Sequence, residues 1–329
     1  MRQMRRVVLA AIAWAAMTNV ASSAEVVKAV HVPLMNFAPL YVAIEKGYCK
    51  EQGIQVDLDR VKSGVDAMAF LASGQIDMGA VGMSAGAFNA FDRQMDLKIV
   101  ATAGSQPLKD GPVVILARKP VVEKGEVKSL ADLKGRKVAV AGGVGSTGAF
   151  FVVKAIRGAG LTAKDIEFVN LANADIALAL EKGAVDAWLV GSPFSTTAVK
   201  TGIAEILAKD IDPGGSATFF MFSGKFMRER PQVAKGLMIA LTKAARDLQP
   251  KTYLSPDHFP IFAKYTGAKE QDIRSTTPVG YDPNLAINTK SLHEQEAIHR
   301  ESGWVKYSSP VPVSRMIDSS SNAQPGGSP

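Results

Sequence analysis

The residues best suited to chemistry in this sequence form a glycine-rich loop at the start of a helical pattern. The segment Gly143-Val144-Gly145-Ser146-Thr147-Gly148 follows an apolar strand pattern and precedes an apolar helical one. Backbone N–H groups in such a loop, together with the positive end of the helix dipole, favour an anion or a polar acceptor. The sequence predicts ligand contacts at Gly145, Ser146 and Thr147. A purely structural turn and helix cap is the alternative.

The same loop matches the glycine pattern of dinucleotide-binding folds, but its context argues against a nucleotide. The preceding strand does not open a compact nucleotide domain, and the next strand ends in Asn170 without an acidic residue. The chain also begins with an export pattern, away from the pool of such cofactors. A Walker loop is excluded because no Gly-Lys-Ser/Thr is present. No cofactor is predicted.

No group of residues predicts catalysis or metal binding. The serines lack a Gly-x-Ser-x-Gly elbow, and no histidine falls in a candidate ligand loop. His31 ends the first strand pattern, where a hydrogen-bonded core histidine is the simpler interpretation. The histidines lack metal-ligand spacing, and Cys49 is predicted to be a buried structural thiol. The protein is therefore predicted to bind its ligand without converting it.

Charge and cysteine content restrict the partners of the chain. It has 329 residues and a formal net charge of +7, and three of its arginines stand near the N-terminus. No dense run of lysine and arginine follows, so the surface is predicted to be ordinarily solvated, with a slight attraction for anions. Nucleic acid is not a predicted partner. A single cysteine excludes an intrachain disulfide.

Residues 1–24 have the pattern of a signal peptide. A basic start precedes the apolar run Val7–Met17, which is shorter than the roughly 20 residues that span a bilayer. Ser22-Ser23-Ala24 then offers small residues for cleavage before Glu25. No cysteine follows the apolar run, so a lipid anchor is not expected. The mature protein is predicted to be soluble in the periplasm.

One pattern around these residues occurs twice in the chain. The segments LASGQIDMGAVGM at 71–83 and LEKGAVDAWLVGS at 180–192 each contain a helix end, a glycine, an Asp, a short apolar strand and a small-residue loop. Their separation is that of domains and exceeds any solenoid period. The repeat predicts two similar α/β lobes that hold a ligand at the loops after their strands. Chance similarity between two buried strands is the alternative.

Strand and helix patterns alternate from Val26 and again from Lys137, which predicts mainly parallel sheets covered by helices. The β-branched runs Pro112–Ala117 and Ala217–Ser223 are expected to cross between the lobes, so the helical chain after Gly224 should return to the first lobe. The predicted division is a signal peptide at 1–24, lobe 1 at 25–112 plus 219–318, lobe 2 at 113–218, and a disordered tail at 319–329.

The first lobe offers matching candidate loops. Asn36 and Phe37 follow the first strand and supply amide donors and apolar surface, although they could instead form a hydrophobic staple for the next helix. Gly64 follows the second strand, beside Lys62, which is either a partner for an anion or a solvated turn lysine. Met83-Ser84 follows the third strand.

Four segments carry a resemblance to a known family. They are APLYVA at 38–43 with EKGY at 45–48, GQIDMG at 74–79, SLADLKGRKVAV at 129–140, and GAVDAW at 183–188. Over about residues 26–318 the chain resembles the periplasmic solute-binding proteins of ABC importers in the nitrate/sulfonate/taurine group. That group is related to proteins that bind or synthesise the thiamine pyrimidine.

The resemblance implies a type II periplasmic binding fold, an α/β fold in which two lobes close on a ligand by hinge motion. It implies a monomer whose partners are a small-molecule ligand and an inner-membrane ABC permease with its cytoplasmic ATPase. The implied ligand-binding residues are Asn36, Phe37, Gly64, Met83, Ser84, Gly145, Ser146, Thr147, Asn170, Ser192, Pro193 and Phe194.

Two departures from the family pattern bear on the ligand. Relatives often carry an aromatic residue and an acid where Gly191-Ser192 stand here, and some carry an acid in the loop at Met83-Ser84. The missing acids argue against a ligand ammonium and favour a neutral or anionic organic ligand. The resemblance implies a small organic anion of the sulfonate or aromatic or aliphatic carboxylate type, or a similar small molecule. The alternatives are a binder of a thiamine-precursor pyrimidine, an enzyme of pyrimidine synthesis, or a periplasmic sensor for a signalling protein.

Overall fold

The structure, a computed structural model, describes residues 24–62, 64–191, 194–275 and 277–318. The predicted signal peptide, except Ala24, and the predicted tail at 319–329 lie outside the described residues, so both stay predictions. The described residues form two five-stranded sheets flanked by helices. The predicted two-lobe α/β fold is confirmed, and each sheet with its helices is called a lobe below.

The first sheet consists of β1 (Glu25–His31), β2 (Ile54–Arg60), β3 (Met78–Gly82), β4 (Leu97–Thr102) and β10 (Thr218–Ser223). Its strand order is β2-β1-β3-β10-β4. β1 pairs in parallel with β2 and β3, whereas β10 runs antiparallel to β3 and β4. The central strands β3 and β10 are buried along their whole length, which explains their continuous apolar or small-residue sequences.

The second sheet consists of β5 (Val114–Arg118), β6 (Lys137–Val140), β7 (Glu167–Asn170), β8 (Ala187–Val190) and β9 (Ala204–Ala208). Its order is β7-β6-β8-β5-β9, with β6 parallel to β7 and β8 and β5 antiparallel to β8 and β9. The strands β5 and β10 correspond to the two predicted crossings. Because each crossing strand runs against its neighbours, both sheets are mixed.

Helices cover the sheets, and one of them, α8, begins where the sequence predicted only a loop. They are α1 (Ala38–Glu45), α2 (Tyr48–Glu51), α3 (Gly64–Ser73), α4 (Ala85–Asp92), α5 (Lys119–Glu123), α6 (Thr147–Ile156), α7 (Asn173–Glu181), α8 (Phe194–Lys200), α9 (Gly224–Glu229), α10 (Pro231–Asp247), α11 (His258–Thr266), α12 (Glu270–Arg274), α13 (Thr289–Glu301) and α14 (Val313–Met316). A 3₁₀ turn at Met35–Phe37 precedes α1.

The two copies of the repeated segment build the same joint. Asp77 donates its backbone N–H to the Lys28 carbonyl at 2.8 Å and accepts the Lys28 N–H on its carboxylate at 2.9 Å. Asp186 makes the same two contacts with Lys137, at 2.9 and 3.4 Å. In both lobes the lysine stands 49 residues before the Asp. The joint therefore fixes the start of the third strand beside the first strand in each lobe.

The chain after β10 does not return to the first lobe alone. Helix α10 packs against the first lobe as predicted, with Leu237 and Leu241 in the core that it shares with α1. Helix α13 instead lies along both lobes: Leu292 belongs to an apolar core of the first lobe, and Ile298 belongs to the core of the second. The prediction that this whole region packs on the first lobe misses α13, because its two halves bury apolar residues on opposite sides of the lobe boundary.

Candidate functional site

A cleft of about 110 Å³ lies between the lobes, where the loops after β1, β2 and β3 face those after β6, β7 and β8. This edge of parallel strands is where open α/β sheets hold ligands. The polar side chains of its lining are Asn36, Lys62, Ser84, Gln106, Ser146, Thr147, Asn173 and Thr218. The larger apolar side chains are Val32, Leu34, Phe37, Val65, Val113, Phe151, Leu189 and Val190.

The charge of the cleft comes from Lys62. Among the described residues that line the cleft, Lys62 is the one with a charged side chain, and neither Asp nor Glu is among them. Its ammonium makes no hydrogen bond or ion pair with another described residue. Lys62 also lines an adjoining cavity, together with Val65, Asp66, Gly142 and Asn170. Lys62 therefore lies between two cavities and forms no ion pair with another described residue.

The predicted anion loop lines the cleft, but the protein itself uses both of its hydroxyls. Ser146 is the N-cap of α6, and its Oγ accepts a hydrogen bond from the Ala149 N–H at 3.2 Å. The Thr147 hydroxyl donates to the carbonyl of Met83 in the other lobe at 2.6 Å. Ser84 caps α4 in the same way as Ser146 caps α6. The hydroxyl protons of the two serines remain available to a ligand, since capping uses only their oxygens.

The loops after β3 and β6 touch each other directly. The Ala85 N–H donates to the Gly145 carbonyl at 2.7 Å, next to the hydrogen bond between Thr147 and Met83. A Cβ added at Gly82 would overlap the Thr147 side chain. Glycine at this position therefore lets the two lobes meet across the cleft.

The remaining predicted site residues differ in their placement. Asn36, Phe37 and Gly64 line the cleft, as do Ser84, Ser146 and Thr147. Four others are absent from the lining: Met83 is buried in the first-lobe core, Gly145 contacts the other lobe, Asn170 accepts the Gly142 N–H at 3.0 Å, and Phe194 packs near Trp188. Ser192 and Pro193 lie outside the described residues. Ligand contact by any of these residues stays a prediction.

Buried tyrosines hold the loop that carries Asn36. The Tyr41 hydroxyl donates to the carbonyl of Leu34 at 3.1 Å, and the Tyr281 hydroxyl donates to the carbonyl of Met35 at 2.5 Å. His31 Nδ1 lies 2.8 Å from the Tyr41 hydroxyl. Burial, helped by the nearby positive charge of Arg60, lowers the pKa of His31 to about 4. A neutral imidazole therefore supports this loop at neutral pH.

Sequence reasoning missed three polar residues of the cleft. Thr218 belongs to the predicted crossing Ala217–Ser223, Gln106 lies between β4 and β5, ahead of the predicted crossing Pro112–Ala117, and Asn173 opens α7. The crossings were predicted as connections and the segment that contains Gln106 was given no role, so these side chains were not considered as ligand contacts. Asn173 could have been found from the repeat, because it follows the second strand of its lobe as Gly64 does in the first.

The described residues contain no group of three or more His, Cys, Asp or Glu side chains placed to hold a metal ion. None of the helices that the structure describes combines the length and apolar character needed to cross a membrane. Cys49 is buried, and burial raises the pKa of its thiol to about 12. This thiol is therefore protonated at neutral pH.

Comparisons with known proteins agree with this geometry. The chain is 30% identical over 241 residues to a putative aliphatic sulfonates-binding protein of Escherichia coli, covering 70% of this chain and 71% of that protein. It is 26% identical over 269 residues to the taurine-binding periplasmic protein of the same organism, covering 79% of each. Among solved structures, it is similar to the alkanesulfonate-binding protein SsuA from Xanthomonas axonopodis pv. citri bound to MOPS. The TM-score is 0.68 at 18% identity, covering 87% of this chain and 96% of that one.

A family model described as NMT1/THI5 like matches residues 34–251. The match runs from the loop after β1 to the end of α10, and so includes the cleft-lining loops of both lobes. The predicted resemblance is thereby confirmed, and the chain belongs to the NMT1/THI5-like family.

Proposed function

We propose that this protein is an exported receptor that binds a small organic anion between its lobes and delivers it to an ABC importer. The observation that carries the proposal is the charge of the cleft. Lys62 provides a positive charge without an acidic partner, and no carboxylate lines the described part of the cleft. A sulfonate or carboxylate can pair with Lys62 there, whereas a ligand ammonium would find no counter-charge.

The names of the relatives and the walls of the cleft support the same class of ligand. The two curated relatives are named for aliphatic sulfonates and for taurine. Taurine carries an ammonium, so the cleft described above favours an anion without an amino group. Phe37, Val65 and Phe151 give it apolar walls, which suit an aliphatic or aromatic body.

The direct contacts between the lobes support a receptor that closes. The hydrogen bond from Thr147 to the Met83 carbonyl joins loops from opposite sides of the cleft, and separating the lobes would break it. Periplasmic export, a monomeric state and delivery to an inner-membrane permease with its ATPase follow from the resemblance and remain part of the proposal. The pyrimidine binder, the pyrimidine-synthesis enzyme and the sensor remain alternatives.

A thermal-shift screen followed by calorimetry tests the proposal. The purified protein is screened against alkanesulfonates, aromatic carboxylates, nitrate, bicarbonate and pyrimidines, and a saturating ligand should raise its apparent stability by a few kcal/mol. For the anion that binds, Lys62→Met should weaken binding roughly 10- to 100-fold, the effect of losing a hydrogen bond to a charged group. It should also reduce the salt dependence of the affinity.

The matched control is Lys50→Met, which removes an exposed lysine of α2 outside the cleft lining. This variant should bind like the wild type. Stabilisation by a pyrimidine and by none of the anions would reject the anion receptor in favour of the pyrimidine alternatives. Equal affinities of the Lys62 and Lys50 variants would reject Lys62 as the anion partner.

A further inference from the structure

Two largely buried amide side chains of the cleft have no hydrogen-bond partner among the residues that the structure describes. Asn36 is 9% exposed and Gln106 is 7% exposed, and both line the cleft. Neither side chain forms a hydrogen bond with any other described residue. Each amide offers two donors and one acceptor oxygen, and buried polar groups of native proteins are almost always paired. Neither amide is among the fully buried polar atoms that lack a partner in the described part of the chain, so both are open to the cleft, where water or a ligand can pair with them.

The backbone places the two amides at the same end of the cleft. A Cβ added at Gly104 would lie 2.9 Å from the Asn36 Cα and 3.1 Å from Asn36 Nδ2, so Gly104 faces Asn36. The next residue, Ser105, uses its hydroxyl on Ser216 at 2.6 Å and pairs its backbone with Gly280. Gln106 follows two residues later, so its Cα lies within about 7 Å of that of Gly104, and its side chain also lines the cleft. Its Oε1 lies 3.2 Å from where a Cβ at Gly111 would stand.

Lys62 lies at a different end, because it follows β2 at one edge of the first sheet, whereas Gln106 follows β4 at the opposite edge. It borders the adjoining cavity formed with Gly142 and Asn170, which neither Asn36 nor Gln106 lines. The cleft thus has a charged end at Lys62 and an amide end at Asn36 and Gln106, with apolar side chains such as Phe37 and Val65 also lining it.

We propose that Asn36 and Gln106 form a subsite for an uncharged hydrogen-bonding group of the ligand, at the end opposite its charge. This inference rests on the proposed anion-receptor function and deepens it. A pair of amides both donates and accepts, so it suits a hydroxyl, carbonyl or carboxamide group. The ligand is then an organic monoanion with a polar group at its far end.

The subsite discriminates between ligands, because a ligand whose end is purely apolar would leave the two amides unpaired. A site built to bond a hydroxyl rejects the analogue that lacks it more strongly than an apolar pocket rejects an added methylene. Water can pair with the amides before the ligand enters, and an apolar group that displaces this water does not replace its hydrogen bonds.

Gln106 is also fixed at the junction of the two crossing segments. Its backbone N–H donates to the Gly215 carbonyl at 2.8 Å, and its carbonyl accepts the Gly214 N–H at 3.1 Å. These bonds tie the segment before β5 to the segment before β10. The amide end of the cleft is therefore anchored on the connection between the lobes, which favours a preformed subsite.

The test compares ligands that differ only at the end opposite the charge. Butane-1-sulfonate and 3-hydroxypropane-1-sulfonate have the same number of heavy atoms, and pentanoate and 4-hydroxybutanoate form a second such pair. Calorimetry should show that the wild type binds the hydroxylated member of a pair roughly 10-fold more tightly. The other member leaves an amide of the subsite without a hydrogen bond, which weakens binding by about that factor. Gln106→Leu should abolish this preference and keep the affinity for the unhydroxylated member within about 3-fold.

Gln232→Leu, at an exposed position of α10, is the matched control and should keep the preference. Asn36→Ala is the second variant and should reduce the preference if Gln106→Leu fails to fold, as judged by its Tm. Equal wild-type affinities within both pairs, or an undiminished preference in Gln106→Leu or Asn36→Ala, would overturn the subsite and leave the anion receptor standing. Absence of binding for these four anions and for every anion of the thermal-shift screen would overturn the receptor proposal and the subsite together.

Discussion

The two lobes share one joint and differ in the loop that follows it. Asp77 and Asp186 each bind the backbone of a lysine 49 residues earlier, and the two sheets have matching strand orders. The loops beyond the joint diverge: Gly82 packs against the opposite lobe, whereas among the described residues a Cβ at Gly191 would meet only Val113, at 3.6 Å. The fold therefore constrains the joint in both lobes and leaves the cleft-facing loop free to change.

The strength of the joint also differs between the lobes. Arg230 pairs with the Asp77 carboxylate at 2.6 Å, while Arg118 and Arg136 lie 3.5 and 3.7 Å from the Asp186 carboxylate. The Asp77 side chain is also the less exposed of the two, at 13% against 20%. The first joint is thus the tighter of two copies of the same arrangement.

The largest effect is expected from a substitution that removes the tighter joint, at Asp77. Asp77→Ala removes the acceptor of Arg230 Nη2 and of the Lys28 N–H, although Arg230 Nη1 keeps the Val26 carbonyl, and should lower the free energy of unfolding by about 3 kcal/mol. Asp186→Ala removes longer contacts and should cost about 1 kcal/mol. Urea denaturation of the two variants measures the difference. Equal losses would mean that the two joints contribute alike despite their geometry.

The second prediction concerns the stability of the protein at acidic pH. His31 on β1 occupies the position of the repeat that Val140 occupies on β6, so the first lobe has a titratable side chain where the second has an apolar one. The pKa of His31 is about 4 in the folded protein and near 6.5 when exposed, so between these values the unfolded state binds the extra proton. This contribution to stability is complete above pH 6.5 and is lost as pH falls towards 4. The loss should reach about 2–3 kcal/mol.

Chemical denaturation of the wild type and His31→Asn at several pH values measures this loss. Asparagine keeps a donor near the Tyr41 hydroxyl and does not titrate. The difference in stability between the two proteins should shrink or change sign as the solution is acidified from pH 7 to 4. A difference that is independent of pH would show that His31 is not the titrating group.

The smallest expected effect is on ligand affinity, and it tests the difference between the loops at Gly82 and Gly191. Gly82→Ala places a methyl group against the Thr147 side chain, so it should hinder contact between the lobes and weaken ligand binding roughly 10-fold. Gly191→Ala, at the corresponding position of the second lobe, has room for the methyl and should change the affinity less than about 3-fold. Calorimetry with any bound anion, together with solution scattering to follow lobe closure, compares the pair. A larger loss in Gly191→Ala would reverse the assignment of the contacting loop.

Most of the fold could be predicted because the repeat and the apolar patterns are local signals. The strand predicted at Val26–Val32 is Glu25–His31 in the structure, and the helix predicted from Ala149 begins at Thr147. The loops that border the cleft could also be predicted, since they follow the strands of each lobe.

The sequence could not predict which hydrogen-bond donors of the cleft are already engaged by other parts of the protein. The Thr147 hydroxyl is engaged by the Met83 carbonyl, which lies 64 residues away and in the other lobe. Gln106 lies in the segment between β4 and β5, whose sequence indicates only a connection, and its side chain becomes a cleft residue once the two lobes meet. Such contacts depend on the relative placement of the lobes, which no local pattern encodes.

The position of α13 has a consequence for how the molecule unfolds. Leu292 and Ile298 bury their side chains in the cores of different lobes, and Glu294 pairs with Lys154 of α6 in the second lobe. Loss of either lobe would expose part of this helix and remove burial from the lobe that remained. The two lobes therefore form one cooperative unit, and a single transition is expected where two separate domains would give two.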